Sequence, residues 1–230
     1  MPADLNDRTS TPEPHSRLID QRQPWLGGLL ALGIMGLLWS TAFIGRSHFD
    51  PTWSGTESAS LVMKGGDPYI RALMRTISAS ESNSPQPYSV LYGGEQIQDL
   101  SHHPDRCVAI AQGINQGDCT TAAGRYQFIT TTWLEKAQLY HPAPSGLFWW
   151  KDYSFAPVYQ DEVVYRWLSD RQAWGVDLSE LLRQGQLTEV LQILSPTWTS
   201  LGYGIEPNDM TDELPYIYEQ MLQEELQAVG

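Results

Sequence analysis

The sequence predicts an α+β protein that is mostly helical, with one small antiparallel β-hairpin, preceded by a single N-terminal transmembrane helix. Three observations lead to this prediction. Several segments after residue 67 repeat apolar residues at the spacing of an amphipathic helix, one short segment alternates around a glycine pair, and 21 consecutive residues near the N-terminus carry no charge. With 230 residues, 41% of them hydrophobic, the chain is large enough for one packed domain and an appendage.

The N-terminal part divides into three segments. Residues 1–23 are rich in proline, serine, aspartate and arginine without an apolar period, which predicts a disordered tail. Residues 24–45 contain the uncharged run from Trp25 to Gly45, which is long enough to cross the hydrocarbon core of a bilayer, and they predict a transmembrane anchor. Residues 46–66 predict a short polar linker that ends in a glycine pair.

The charges around the apolar run predict its orientation. Arg17 and Arg22 precede the run closely and only Arg46 follows it directly, which favours a cytoplasmic N-terminus. We therefore expect a single-pass protein of the cytoplasmic membrane whose main domain lies outside the cytoplasm, in the periplasm. The alternative is secretion after cleavage near residue 42, where small residues form a weak signal-peptidase site. The length of the apolar run favours a retained anchor.

Composition and motifs exclude several kinds of ligand. The chain has 14 basic and 27 acidic residues, and its net charge of -13 opposes binding to nucleic acid. No phosphate-binding glycine loop, HExxH motif or GxSxG motif is present, so neither a cofactor nor a metal is predicted. His102 and His103 are adjacent, and neighbours in an extended chain point to opposite sides, so a structural role is the better interpretation.

Cys107 and Cys119 are the two cysteines of the chain. Eleven residues separate them, and two cysteines at this distance in an extracytoplasmic domain are expected to form a disulfide. Closing a loop of this size contributes roughly 3 kcal/mol in the loop-entropy interpretation. The alternative is a pair of free thiols in a cytosolic protein.

Residues 67–230 are predicted to form one domain that is organised around its first helix. Asp67 and Pro68 are a favoured N-cap and first helical residue. Glu81 lies four residues beyond Ile77, the last apolar residue on one face of this helix. If the helix continues to Glu81, its carboxyl group is held partly out of water, which raises its pKa and makes it a proton donor. The alternative is that the helix ends before Glu81, which is then a solvated loop acid. The apolar stripe consists of Ile70, Leu73, Met74 and Ile77.

The remaining elements follow in order. The alternating segment PYSVLYGGEQIQDL predicts a β-hairpin around Gly93 and Gly94, as the one small sheet, and residues 104–123 are expected to form a loop. Of the tryptophans, Trp133 and Trp167 fit core positions of helices, whereas the neighbours Trp149 and Trp150 fit a surface role. Helices are predicted from about Thr130, from Pro157 to Arg171, Leu178 to Arg183, Leu187 to Leu194 and Leu214 to Ala228.

Five sequence blocks occur together and in order after residue 67. They are Ser80-Glu81, YSVLYGGEQIQDLSHHP, AAGRYQF, FAPVYQD and WTSLGYG. Together they resemble the lambda-type phage endolysins, which are lytic transglycosylases of glycoside hydrolase family 104. The resemblance covers nearly the whole chain from Asp67 onward, and the hairpin and GRYQF blocks are its most specific parts. It implies a lysozyme-like fold and peptidoglycan glycan strands as the substrate.

The resemblance also implies a mechanism. Glu81 matches the glutamate of the Ser-Glu block, so it is expected to be the catalytic acid that cleaves the β-1,4 bond between N-acetylmuramic acid and N-acetylglucosamine, with formation of a 1,6-anhydro sugar. Two alternatives stay open. The protein is a hydrolytic lysozyme if Glu95 or Asp99 helps to activate a water molecule, and it is a noncatalytic peptidoglycan-binding protein if it keeps only the fold.

Further residues are expected in the substrate cleft. Gln127 in GRYQF resembles the glutamine that related folds present to an N-acetyl group. Its neighbours Tyr126 and Phe128 are expected to divide between the cleft and the core. Tyr203 resembles a late tyrosine that lines the same cleft, and the alternative is an aromatic residue packed in the core. Glu95 and Asp99 of the hairpin block are candidates for fixing the hairpin or for stabilising positive charge in the transition state.

Overall fold

The protein is described by a computed structural model over residues 59–82, 84–111, 115–146, 151–204 and 210–229. The predicted tail, the predicted transmembrane segment, the first part of the linker and the pair Trp149 and Trp150 lie outside these ranges. Within the described ranges, no helix is long and apolar enough to cross a membrane. The described residues pack around one hydrophobic core.

The described part of the chain is mostly helical and contains a two-stranded antiparallel sheet, as predicted. In the sheet, Val108 lies opposite Thr120 and Ala109 lies opposite Cys119. Short 3-10 turns occur at Pro87–Ser89 and Thr199–Leu201. The helices and strands are α1 (Pro68–Glu81), β1 (Val108–Ala109), β2 (Cys119–Thr120), α2 (Thr130–Tyr140), α3 (Pro157–Leu168), α4 (Arg171–Trp174), α5 (Leu178–Arg183), α6 (Leu187–Leu194) and α7 (Leu214–Val229).

Helix α1 lies at the centre of the fold and packs against α7, α3 and α5. It begins as predicted, because an Asp67 side-chain oxygen accepts the backbone N–H of Tyr69 at 2.8 Å and Pro68 is the first helical residue. It continues through Glu81, so the alternative with a shorter helix is wrong. The predicted apolar stripe is buried, and each of its side chains contributes about 1.5–3 kcal/mol by leaving water. These side chains are Ile70, Leu73, Met74 and Ile77.

The sheet is not where the sequence predicts it. The glycine turn does form, since Gly93 and Gly94 have φ values of 81° and 93° and a single antiparallel bridge joins Val90 to Gln96. However, the two-stranded sheet is formed by β1 and β2, within the segment that was predicted to be a loop. Strands of two residues are too short to show an alternating pattern of apolar and polar residues, so the sequence does not predict them.

A disulfide between Cys107 and Cys119 closes the loop that carries the sheet. The predicted pairing is therefore confirmed. Cys119 is the first residue of β2 and Cys107 directly precedes β1, so the covalent bond holds together two strands that have few hydrogen bonds of their own. A two-stranded pairing of this length is not stable in isolation.

The predicted helix from Pro157 to Arg171 is divided in two. Helix α3 ends at Leu168, and Asp170 then caps α4 by accepting the backbone N–H of Gln172 at 2.8 Å. Helices α5 and α6 have the predicted bounds. Trp133 and Trp167 are buried in the core, as their helical positions predict.

Residues 59–66, which were predicted to be the end of the linker, pack against the domain. We call this segment the N-terminal strap. Leu61 and Met63 are buried in the core. The backbone N–H groups of Val62 and Met63 donate to one Asp161 side-chain oxygen at 2.7 and 3.2 Å. The described domain therefore includes at least eight residues before the predicted boundary at Asp67.

A buried arginine holds the beginning of the strap. The guanidinium of Arg125 donates to the backbone carbonyls of Ala59 at 2.5 Å and Ser60 at 3.2 Å. It also donates to the Tyr88 hydroxyl at 2.9 Å. Because Arg125 belongs to the GRYQF block, the strap is bonded directly to the segment that carries Gln127.

Candidate active site

A cleft of about 380 Å³ lies beside the C-terminal end of α1. Glu81, the last residue of the helix, is half-buried in its wall. A second pocket of about 410 Å³ is lined by residues of the glycine turn. Glu81, Tyr92 and Gln127 line both pockets, so the carboxyl group lies where the two spaces meet.

Serine hydroxyl groups hold the end of α1 and the Glu81 carboxyl group in place. The Ser200 hydroxyl donates to Glu81 Oε1. The Ser80 hydroxyl in turn lies 2.8 Å from both the carbonyl oxygen and the hydroxyl oxygen of Ser200. On the other side of Glu81, the Ser82 hydroxyl donates to the carbonyl oxygen of Arg125 at 2.7 Å. The end of α1 is thus bonded to two separate parts of the cleft wall.

Gln127 is held in the cleft wall by an unusual backbone conformation. Its φ of 46° lies in the left-handed region, where a side chain other than glycine is uncommon. The amide nitrogen of its side chain donates to the carbonyl oxygens of Gly124 at 2.9 Å and Val90 at 3.3 Å. These bonds tie the GRYQF segment to the hairpin that carries Tyr92. Gln127 and Glu81 line the same two pockets.

The hydroxyl of Tyr126 lies in the core, although the residue was predicted to bind substrate. The side chain is fully buried and its hydroxyl donates to an Asp161 side-chain oxygen at 2.7 Å. Burial raises the pKa of Tyr126 well above its usual value. Tyr126 is nevertheless among the residues that line the cleft, so it forms part of the wall while its hydroxyl is engaged with Asp161 in the core.

Glu95 and Asp99 do not line either pocket. Glu95 is exposed and forms an ion pair with Arg106 at 2.5 Å. Asp99 is exposed and accepts the backbone N–H of Ser101 at 2.9 Å. Hydrogen bonds from the side chain and then the backbone of Ser101 lower the pKa of Asp99. Both acids therefore have local partners outside the described lining of the two pockets, which fits the alternative that they fix the hairpin.

Tyr203 also lies away from the described walls of the cleft, although it was predicted to line it. Its backbone has a φ of 55°, and its half-buried side chain packs against the hydrophobic core. Burial raises the pKa of Tyr203, while a hydrogen bond with Thr188 opposes that shift. The packed aromatic role is the one that the structure shows.

Comparisons with known proteins identify the family. A sequence model of the endolysin family matches residues 71–224. The chain belongs to the endolysin family. It is therefore a lysozyme-like enzyme that degrades peptidoglycan. No curated protein matches the chain.

Two solved structures have a fold similar to that of this endolysin. One is bacteriophage lambda lysozyme complexed with a chitohexasaccharide, which has 24% identity and a TM-score of 0.50 over 69% of this chain and 97% of that one. Another is lysozyme from bacteriophage lambda, with 21% identity and a TM-score of 0.45 over 73% of this chain and 98% of that one. The first of these shows that the domain has the predicted lysozyme-like fold.

Three residues of the endolysin cleft were given no individual role from the sequence. Tyr92 is 36% exposed at the rim, beside the glycine turn. Trp198 is buried beneath the cleft and donates its indole N–H to the carbonyl oxygen of Tyr126 at 3.2 Å. Ser200 holds the Glu81 carboxyl group. All three lie inside blocks that carry the resemblance, but no local pattern distinguishes them from their neighbours.

His103 of this endolysin has a structural role, as expected. His103 is buried, and its Nε2 lies 2.7 Å from the carbonyl oxygen of Phe128. Burial lowers the pKa of His103. Throughout the described ranges, no group of three or more histidine, cysteine, aspartate or glutamate residues is placed to hold a metal ion.

Proposed function

We propose that this endolysin is a lytic transglycosylase. It cleaves the β-1,4 bond between N-acetylmuramic acid and N-acetylglucosamine in peptidoglycan and forms 1,6-anhydro-N-acetylmuramic acid. One observation carries the proposal. Among the described residues that line the two pockets, Glu81 is the only one with a carboxyl group.

A single carboxyl group limits the possible chemistry. Glycosidases that hydrolyse their substrates use a pair of carboxyl groups roughly 5–9.5 Å apart, one as the acid and the other as nucleophile or base. Glu95 and Asp99, which were the sequence candidates for this second group, are engaged with Arg106 and Ser101 outside the pockets. A reaction that needs one carboxyl group fits this arrangement better.

In the proposed reaction, Glu81 transfers protons in both directions. Protonated Glu81 gives its proton to the glycosidic oxygen, and the bond from that oxygen to C1 of the muramic acid breaks. The resulting carboxylate accepts the proton of the 6-hydroxyl of the same sugar while O6 forms a bond to C1. The attacking group is part of the substrate, so its proximity replaces the activation of a water molecule.

The cleft also fits a glycan chain as the ligand. Its walls combine polar and apolar side chains, and Tyr92 and Gln127 line the same two pockets as the acid. Aromatic rings present large apolar faces with a polar edge, which suits the faces of sugar rings. The structurally similar lambda lysozyme was solved with a chitohexasaccharide, which supports glycan binding by this fold.

The products of wall digestion test the proposal. Purified peptidoglycan is digested with the parent enzyme, and the released muropeptides are analysed by mass spectrometry with and without borohydride reduction. We expect 1,6-anhydro ends that borohydride does not change. Reducing ends would contradict the proposal and indicate a hydrolytic lysozyme, and binding without any release would indicate a noncatalytic wall protein.

We further propose that residues 24–45 anchor the enzyme in the cytoplasmic membrane, with the catalytic domain on the periplasmic side. The apolar run supports the anchor, and the net charge of -13 supports tethering as the means of staying near an anionic wall. We expect the full chain to sediment with membranes in cell fractionation and a chain that begins at residue 59 to be released. If cells that express the full chain instead yield a soluble protein whose size is reduced by cleavage near residue 42, the secreted alternative is favoured.

A further inference from the structure

Two serines from different elements form a chain of hydrogen bonds that ends at the carboxyl group of Glu81. Ser80 belongs to the last turn of α1, and Ser200 belongs to the 3-10 turn Thr199–Leu201. The Ser200 hydroxyl donates to Glu81 Oε1. The Ser80 hydroxyl lies 2.8 Å from both oxygens of Ser200, so it fixes the residue that holds the acid.

The turn that carries Ser200 is itself fixed in the core. Trp198 directly precedes the turn and Leu201 is its last residue, and both are buried. The carbonyl oxygen of Trp198 accepts the backbone N–H of Leu201 at 3.0 Å, and the indole of Trp198 is bonded to Tyr126. Ser200 therefore presents its hydroxyl from a rigid support rather than from a surface loop.

We propose that Ser200 is a positioning residue for the reaction, and that Ser80 holds it in place. A serine hydroxyl has one proton, and Ser200 gives it to Oε1 of Glu81. The transferable proton of neutral Glu81 then resides on Oε2, which fixes the direction in which the acid delivers it. The same bond stabilises the carboxylate that must next accept the 6-hydroxyl proton. This inference rests on the proposed role of Glu81 as the acid.

Replacing Ser200 separates positioning from packing. Ser200→Ala removes the donor, and Ser200→Cys keeps a side chain of similar size with a weak donor. Ser200→Thr keeps the hydroxyl. We expect kcat to fall about tenfold in Ser200→Ala with KM unchanged, because a misplaced reacting group lowers the rate of the chemical step. In Ser200→Cys we expect kcat to fall less, and in Ser200→Thr we expect it to be close to that of the parent.

The pH dependence of activity separates loss of the hydrogen bond from loss of packing, because a change in packing alone does not shift it. Glu81 must be protonated at the start of the reaction, so activity falls on the alkaline side as Glu81 ionises. Loss of a donor to the carboxylate favours the protonated form, and we expect the alkaline limb of Ser200→Ala to move upward by about 0.5 to 1 pH unit. Ser80→Ala is expected to move it in the same direction by less. The exposed Ser169→Ala serves as the matched control, with an unchanged profile.

The same digests keep the inference and the proposed function apart. If the parent forms anhydro ends and Ser200→Ala has the parental kcat and alkaline limb, the role of Ser200 is wrong and the proposed function stands. If Ser200→Ala has a lower kcat and a shifted alkaline limb, but Ser200→Thr shows the same two changes, the role of the Ser200 hydroxyl is also wrong. If the parent forms reducing ends, the transglycosylase proposal fails, whereas a shifted limb would still support Ser200 as the residue that positions the acid.

Discussion

Glu81→Gln is expected to lower the rate of wall lysis by about 1000-fold or more while the protein keeps its fold and its affinity for glycan strands. Glutamine has nearly the same shape as glutamic acid, but its amide neither protonates the glycosidic oxygen nor accepts the proton of the 6-hydroxyl. General acid–base catalysis contributes about 10²–10⁴-fold for a positioned group, and here one group performs both transfers. Initial rates of muropeptide release measure the loss, and cosedimentation with purified walls measures the retained binding.

Matched substitutions at the other two candidate acids act as controls for this experiment. Glu95→Gln and Asp99→Asn remove carboxylates that lie outside both pockets, so we expect lysis within about twofold of the parent, since exposed ion pairs contribute only about 0–1 kcal/mol. A loss in either control as large as that in Glu81→Gln would indicate a second catalytic carboxylate. Parental lysis by Glu81→Gln would exclude Glu81 as the acid.

The features that could be predicted from the sequence are those with local signals. Helix α1 has a capping aspartate, a proline at its first position and an apolar stripe, and each of these acts within one or two turns. The position of Glu81 at its end follows from the same pattern. The disulfide was predictable because two cysteines allow a single pairing. The resemblance added the expected fold, and it also pointed to Gln127.

The features that the sequence did not show depend on distant partners. Ser200 meets Glu81 across 119 positions of the chain, so no spacing near either residue reports the bond. In GRYQF, neighbouring side chains separate into core and cleft because of the left-handed backbone of Gln127, which a helix or strand period does not predict. Tyr126 was therefore assigned partly to the cleft, although its partner Asp161 lies in the core.

The N-terminal strap is the clearest example of such a distant partner. Its apolar residues Leu61 and Met63 lie in a short polar segment, which on its own has the composition of a linker. Its partners Arg125 and Asp161 lie 66 and 99 positions further along the chain from the groups that they bind. Both side chains bond the strap, so together with it they form one buried polar cluster. Burial raises the pKa of Asp161, and the nearby cation of Arg125 opposes that shift.

This cluster connects the strap to the catalytic cleft. Asp161 binds the strap with one oxygen and the Tyr126 hydroxyl with the other. Arg125 binds the strap through its guanidinium, and its backbone carbonyl accepts the hydroxyl of Ser82, the residue after Glu81. Without the strap, Arg125 and Asp161 lose partners. Arg125 is bonded to Ser82, next to Glu81, and Asp161 is bonded to Tyr126, next to Gln127.

We therefore expect a chain that begins at residue 59 to be stable and active, and a chain that begins at residue 67 to unfold readily and to lose lytic activity. Loss of Leu61 and Met63 removes about 1.5–3 kcal/mol each. Each buried polar group left without its partner costs about 1–3 kcal/mol more. The sum is comparable with the whole stability of a typical domain, about 5–15 kcal/mol. Urea unfolding and initial lysis rates of the two chains measure the difference.

Point variants in the chain that begins at residue 59 separate the strap's packing from simple shortening. Leu61→Ala is expected to lower the free energy of unfolding by about 2–3 kcal/mol, because a buried leucine leaves a cavity. Val62→Ala, at a side chain that is 45% exposed, is the matched control and is expected to change it by less than about 0.5 kcal/mol. Equal midpoints for the chains beginning at residues 59 and 67 would show that the strap does not stabilise the domain, and the cleft would then depend on α1 and GRYQF alone.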